Sequence, residues 1–361
     1  LQKFKRIWQK NRDYIVMQIA NRKIGKGHKP YIIAEMSGNH NGDINRAIEL
    51  IEAAKDAGAD AVKLQTYTAD TITINHDSEE FIIHGGLWDG SKLYDLYEQA
   101  HTPWEWHKTL FDEAAKLGIT IFSSPFDPTA VDFLESLNAP AYKIASFELI
   151  DLPLIRKVAA TGKPMIMSTG NANLAEIEEA VLAAKGAGAE DIILLHCTSG
   201  YPTPASQANI STMAVMREAF DCDVGLSDHT LDIGVSVAAV ALGACVIEKH
   251  FTLARADGGP DSAFSLEKEE LKSLVDNCEM AFEAIGKPNF ISTEAELKTK
   301  CHRRSLYVVK DIQKGDTFTS EHVRSIRPGN GIPPKYLDDV IGSVATEDLK
   351  FGTPMRFEYF K

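Results

Sequence analysis

The chain has 361 residues, 44% hydrophobic and 25% charged, ordinary proportions for a globular protein with one large core and room for a smaller second one. No apolar run is long enough to span a bilayer as a helix, and a formal net charge of −13 speaks against nucleic acid or an anionic membrane as partner. The five cysteines, at 197, 222, 245, 278 and 301, are odd in number and lack paired spacing, which argues against a disulfide framework or structural zinc and fits a reducing cytoplasm.

Residues 1–16, "LQKFKRIWQKNRDYIV", are basic but lack a continuous apolar core and a small-residue cleavage site. They read as an extension ahead of a natural start at Met17 rather than as a signal peptide. From residue 31 short apolar runs alternate with amphipathic stretches. The runs are "YIIAEMS" (31–37), "AVKLQTY" (61–67), "TIFSSPF" (120–126), "AYKIAS" (141–146), "PMIMSTG" (164–170), "DIILLHC" (191–197), "VGLSDH" (224–229) and "ACVIEKHF" (244–251). Between them lie helical patterns such as "NRAIELIEAAKDAG" and "LAEIEEAVLAAKGAG", both ending in glycine. Continuous apolar strands separated by helices predict a parallel sheet covered on both faces. Eight such units over about 250 residues predict an α/β fold of the (β/α)8 TIM-barrel type, with a doubly wound open sheet as the competitor.

Two segments depart from this beat. Residues 69–103, containing "HGGLWDGSKLYDLY", form a connection long enough to be a lid or binding loop, with possible helical turns inside it. Beyond "GKPNFISTEAELKTK" the pattern turns to short β-like pieces around "RPGNGIPP". The expected layout is the extension over 1–16, a catalytic barrel over 17–285, a polar linker over 286–300 and a small β-rich domain over 301–361.

In a parallel barrel the reactive groups collect at the C-terminal strand ends. Those ends here carry Glu35, Lys63, Gln65, Ser123, Ser124, Lys143, Ser146, Glu148, Ser168, Ser227, His229, Glu248 and His250. Side chains two apart share a face, which pairs Lys63 with Gln65, Ser227 with His229, and Glu248 with His250. A strand-end histidine on its own is commonly a hydrogen-bonded structural residue. Two on adjacent strands with matching parity point instead to a shared divalent metal. Two imidazoles without cysteine leave coordination positions open, the pattern of a Lewis acid rather than a structural ion. Lys63 and Lys143 admit three readings: pairing with barrel carboxylates, a Schiff base with a carbonyl substrate, or a clamp on a phosphate or carboxylate. Glu35 and Glu148 are candidates for acid–base work, for accepting substrate hydroxyls, or for pairing with those lysines. An anionic substrate of so acidic a chain would need a local cationic cluster to draw it in.

The ordered set "IAEMSGNHNGD", "DAVKLQTYT", "FSSPFD", "AYKIASFE", "HCTSGYPTP", "GLSDHT", "EKHFT" and "RPGNGI" resembles the sialic acid synthase family from Met17 to the C-terminal end. The variants "EMSGNHNG" and "KLQTYT", with "GGLWDGSKLYDLYEQAHTPWEWH" and "RADGGPDSAFS", resemble its bacterial pseudaminic acid branch. The resemblance implies a phosphoenolpyruvate-dependent barrel joined to an antifreeze-like (SAF, β-clip) domain. It implies condensation of phosphoenolpyruvate with 2,4-diacetamido-2,4,6-trideoxy-altrose to give pseudaminic acid and phosphate by C–C bond formation and C–O cleavage. It also implies roles residue by residue. His229 and His250 would bind a divalent ion, most often Mn2+, with Mg2+ or Co2+ as substitutes. Lys63, Ser124, Lys143, Ser146, Ser168, Ser199 and Ser227 match phosphoenolpyruvate-binding positions, and Ser199 stands where the sialic enzymes usually carry asparagine. Glu148 matches the carboxylate that handles the water proton, while Glu35, Gln65, Tyr201 and Asp261 match sugar contacts. Arg327 of "RPGNGI" would reach the partner's active site in a domain-swapped homodimer. The neighbouring alternatives are an N-acetylneuraminate or legionaminate synthase, a Schiff-base aldolase using Lys63 or Lys143, and a non-catalytic carbohydrate- or ice-binding protein.

Overall fold

The computed structural model describes residues 16–361, so the extension lies outside the described residues except for its last position. The chain separates into two compact units, one up to Gly286 and one over Lys287–Lys361. The first opens with a short antiparallel hairpin, β1 (Met17–Ile19) and β2 (Arg22–Ile24). Eight strands follow: β3 (Tyr31–Glu35), β4 (Ala61–Thr66), β5 (Thr120–Pro125), β6 (Tyr142–Ile144), β7 (Met165–Ser168), β8 (Ile192–Cys197), β9 (Asp223–Asp228) and β10 (Val246–His250). They pair in parallel in sequence order, and β10 returns to β3, closing a barrel and ruling out the open sheet.

The barrel strands are almost entirely buried because both of their faces are covered. Alternation sorts their side chains into two columns. The outward column, with Ala34, Val62, Leu64, Ile144, Met167, Leu194, Val224, Leu226 and Ile247, packs against the surrounding helices. The inward column starts apolar with Ile33, Ala61, Phe122, Ala141, Ile166, Ile193 and Val246, where Met17, Ile19 and Ile24 of the hairpin join the same core. Two residues further along the same columns it turns polar, giving Glu35, Lys63, Ser124, Lys143, Ser168 and Glu248. The apolar floor of the barrel thus positions a polar site directly above it.

The connection after β4 is not featureless. It carries helical turns at Ala69–Ile72 and Glu79–Phe81 and a helix at Leu93–Ala100, before Trp104–Leu117 takes its place in the outer ring. The second unit pairs β11 (Ser305–Val308) with β12 (Val323–Ile326) in antiparallel fashion around a core that includes Leu306, Val308, Phe318, Val323, Val340 and Met355. Its remaining pairing is by isolated bridges. The segment expected to be a linker groups with this unit and contains a helix at Glu294–Thr299, capped by the Thr293 side chain on the Glu296 amide.

Candidate active site

A cavity of about 450 Å³ opens at the C-terminal end of the barrel, within the size range of small-molecule sites. Its floor is a ring of alternating charge. Lys63 Nζ lies 2.6 Å from Glu35 Oε2 and 3.8 Å from Glu248 Oε2, while Lys143 Nζ lies 3.0 Å from Glu248 Oε1. Register places Glu35 opposite Lys63 and Glu248 opposite Ser227, while both lysines reach Glu248 across the barrel interior from non-adjacent strands. Ser124 Oγ accepts from Lys63 at 3.2 Å, Gln65 donates to Glu35 at 2.8 Å, and Ser227 Oγ donates to Glu248 at 3.0 Å.

Burial and partners together set the protonation states. Burial raises the Glu248 carboxyl, but Lys143 and Lys63 outweigh it and hold the group at about 2. Burial also disfavours the Lys63 ammonium, and its two carboxylate neighbours more than restore it. Lys143 keeps a lowered value because burial and Lys63 together exceed the pull of Glu248. Of the three readings of the lysines, the structure shows the pairing with barrel carboxylates, through Glu35 and Glu248.

One wall is hydroxyl-rich. Ser146 Oγ accepts from the Gly170 amide at 3.1 Å, and Ser168 Oγ is buried with no hydrogen-bond partner. Gly170 lets the two hydroxyls crowd its backbone, since a Cβ there would sit 2.2 Å from Ser199 Oγ and 2.7 Å from Ser146 Oγ and make both serines move. Glu148, on the 3-10 turn Ser146–Ile150 after β6, presents a buried Oε2 without a partner, and burial raises its carboxyl to about 7.

The histidines form the opposite corner, with ring centroids 5.3 Å apart. His229 Nδ1 is 3.2 Å from the Thr198 carbonyl and 3.8 Å from Cys197 Sγ, which leaves Nε2 as its free nitrogen. His250 Nδ1 is buried without a hydrogen-bond partner, the nearest carboxylate oxygen being Asp261 Oδ2 at 3.7 Å. Burial, then His229, holds His250 well below the usual imidazole value, so it is a neutral donor. Ser37 hydrogen-bonds Asp261. Among the described residues no group of three or more His, Cys, Asp or Glu forms a metal-binding cluster. Burial lowers His229 too, but its contacts with Cys197 and the Thr198 carbonyl outweigh it and raise the imidazole above its ordinary value. The chain's own donors at this corner are thus two imidazoles, and the unpartnered buried Nδ1 of His250 suits a cation-binding site.

Aromatic rings rise from this corner to the mouth. The Tyr201 ring lies tilted 4.6 Å from His229, Phe264 meets His250 edge-on at 4.9 Å, and Trp88 lies tilted 5.5 Å from Tyr201. Trp88 Nε1 donates to the Pro260 carbonyl at 3.0 Å, tying the long connection to the loop after β10. Ile72, Ile83, Leu96 and Tyr97 of that connection complete an apolar upper wall.

Of the residues singled out from the sequence, Glu35, Lys63, Gln65, Lys143, Ser146, Glu148, Ser168, Tyr201, Ser227, His229, His250 and Asp261 line this one cavity. Ser124 stands behind Lys63, and Ser199 lies beside Cys197, Sγ to Oγ 3.8 Å. Arg327 belongs to the second unit, exposed just after β12. Glu248, left without a role by the resemblance, is the centre of the charge ring, and its parity with His250 was the available signal. Ser37 and Trp88 carried no comparable signal, since their partners Asp261 and Pro260 are 224 and 172 residues away.

Comparison with known proteins adds two family matches and close relatives. The NeuB family model matches residues 50–289 and the SAF domain model residues 303–360. A pseudaminic acid synthase of Campylobacter jejuni subsp. jejuni serotype O:23/36 (strain 81-176) is 45% identical over 345 residues, covering 96% of this chain and 100% of the relative. An N,N'-diacetyllegionaminic acid synthase of Campylobacter jejuni subsp. jejuni serotype O:2 is 42% identical, covering 89% and 97%. Among solved structures, an N-acetylneuraminic acid synthetase from Leptospira borgpetersenii superposes with a TM-score of 0.71 at 31% identity, covering 79% of this chain and 94% of that one.

Proposed function

The chain belongs to the NeuB family, and from that premise we propose that it condenses phosphoenolpyruvate with 2,4-diacetamido-2,4,6-trideoxy-altrose to give pseudaminic acid and phosphate. The observation that carries this reading is the convergence of two lysines, two carboxylates, unpartnered hydroxyl and carboxyl groups and two imidazoles in one cavity. Its support in substrate choice is the 45% identity to a pseudaminic acid synthase along nearly the whole chain. The legionaminic acid synthase at 42% keeps a second reading in play, with the same chemistry on another amino sugar.

Lys63 and Lys143, with Ser124, Ser146, Ser168, Ser199 and Ser227, would receive the phosphate and carboxylate of phosphoenolpyruvate. Glu35 and Glu248 already balance both ammonium groups, so a trianion needs further positive charge at the site. His229 and His250 would hold a divalent ion, manganese by resemblance, whose charge would polarise the sugar aldehyde. Glu35, Gln65, Tyr201 and Asp261 would orient the sugar so that its aldehyde carbon faces carbon 3 of phosphoenolpyruvate. A bond forms between those carbons, the aldehyde oxygen takes up a proton to become a hydroxyl, and carbon 2 is left electron-deficient. Water adds at carbon 2 and passes a proton to Glu148, whose raised value suits proton exchange near neutrality. The bond from C2 to the phosphate oxygen then breaks, phosphate leaves with the electron pair, and the new hydroxyl at carbon 2 loses its proton to become the keto group. Arg327 would close the site of a partner subunit in a domain-swapped dimer. With all five cysteines free, a reducing cytoplasm is the compartment we propose. No helix among the described residues is long and apolar enough to cross a membrane.

Phosphate release from phosphoenolpyruvate with manganese, comparing the altro-configured sugar with N-acetylmannosamine, tests the reading. Preference for the former is expected, and preference for N-acetylmannosamine would move the enzyme to sialic acid synthesis. Borohydride should trap no adduct, whereas a trapped one would establish a Schiff base on lysine. No phosphate with any amino sugar would leave only a binding role.

A further inference from the structure

The outward columns of β9 and β10 break their own rule. Val224, Leu226 and Ile247 face the helices as apolar packing, but the next outward positions are Asp228 and Lys249. Both are shut away from solvent, at 1% and 0% side-chain exposure, with Nζ to Oδ2 at 3.0 Å. The two residues are register partners across the strands. A buried ion pair gives little net stability over an apolar pair of the same size, because desolvation consumes the attraction. Its established use elsewhere is to fix register, and here the register is that of the two histidines. Asp228 precedes His229 and Lys249 precedes His250.

The bonds of this pair surround His229. Asp228 Oδ1 accepts from the Thr230 amide at 2.9 Å, and Lys249 Nζ donates to the Thr230 carbonyl at 2.5 Å. Ser236 Oγ, from helix Gly234–Ala241, donates to Asp228 Oδ2 at 2.6 Å and anchors the pair to the outer ring. Lys249, whose neighbour is His250, thus holds the Asp228 carboxylate just before His229 and the Thr230 backbone just after it. We propose that the Asp228–Lys249 pair is a positioning clamp that sets the separation and aim of the two imidazoles, and so the affinity of the site for a divalent cation. This rests on the reading of His229 and His250 as cation ligands.

The test is Mn2+ binding to the purified full chain, followed by the electron paramagnetic resonance of the free ion and needing no turnover. The double variant Asp228→Asn/Lys249→Met removes both charges while keeping the side-chain shapes and an acceptor for the Thr230 amide. Its dissociation constant for Mn2+ should rise at least about tenfold, the usual scale for groups that orient metal ligands, while the metal-free protein melts as the parent does. A folded double variant that binds within twofold of the parent would overturn the clamp. Should it not fold, Asp228→Asn alone decides by the same threshold. A parent protein with no Mn2+ site removable by His229→Ala defeats the cation reading and the clamp together. Parent binding that His229→Ala abolishes, with the clamp variant unchanged, defeats the clamp alone.

Discussion

Glu148 and Glu248 sit in one cavity with opposite protonation behaviour. Burial raises both, yet Glu148 remains at about 7 while Lys143 and Lys63 bring Glu248 to about 2. Carboxyls pushed apart in this way divide the labour, one exchanging protons and one remaining a fixed charge. The kcat/KM profile, which reports the free enzyme, should therefore carry an acidic limb near pH 7. Glu148→Gln should abolish that limb and lower kcat on the order of 10²–10⁴-fold, with the KM for phosphoenolpyruvate little changed. An unchanged limb in that variant would remove Glu148 from proton transfer. The same shift acts on stability. The folded state holds the Glu148 proton more tightly than the unfolded chain, so stability is lost as pH rises from 4.5 towards 7. The loss is on the order of 3 kcal/mol. The glutamine variant should accordingly melt above the parent at pH 8 and not at pH 4. At this scale the alternation made part of the cavity legible, pairing Lys63 with Gln65, Ser227 with His229 and Glu248 with His250. It did not separate Ser124 from Ser123 or reach Ser146 and Glu148 on the turn after β6. What it could not supply was loop-to-loop contact such as Ser37 with Asp261, which depends on closure of the barrel between β3 and β10.

The element that gives the cavity its upper wall is the connection between β4 and Trp104–Leu117. The charged floor is fully buried, whereas Ile72, Ile83, Trp88, Leu96 and Tyr97 are partly exposed, so they stand at the mouth. If the anion takes the floor and the aldehyde must touch its carbon 3, the far end of the sugar points to this wall. A 6-deoxy methyl and acetamido methyls match an apolar surface, and the hydroxyl-rich end of N-acetylmannosamine does not. Trp88→Ala should cut the preference in kcat/KM between these sugars by about tenfold, the usual worth of a small apolar contact. Trp88→Phe should restore much of it, and a preference unmoved by Trp88→Ala would place discrimination elsewhere. The length of this segment marked it as a binding loop, but its contacts were illegible because Trp88 is fixed by Pro260, far along the chain. The β1–β2 hairpin escaped for another reason. Strands of three residues around a tight turn give no measurable period, and their burial comes only from the barrel floor they share.

Over the whole molecule, the two units differ in how they could be read. Eight buried parallel strands write long apolar runs, so the barrel was legible in full. The second unit holds one regular strand pair and isolated bridges, and such short pieces show a β character without an order. Its "RPGNGI" segment is nevertheless firmly held. Ser305 Oγ donates to the Pro328 carbonyl at 2.7 Å and accepts from the Gly331 amide at 2.9 Å. Gly331 leaves no room for a side chain, because a Cβ would lie 2.3 Å from the Leu306 carbonyl oxygen. A turn built this firmly around an exposed arginine suits a residue that must be presented to something else. If that is a partner subunit's cavity, complementation will reveal it. His250→Ala spoils a barrel but leaves its arginine, and Arg327→Ala does the reverse. Each variant alone should be nearly inactive. When the two are mixed in equal amounts and allowed to exchange subunits, half of the dimers are mixed, and each of those holds one intact barrel facing one intact arginine. Activity should return to about one quarter of the parent level, as random pairing in a two-fold dimer requires. An arginine serving its own chain would leave every site in the mixture defective, and activity would stay at the level of the separate variants.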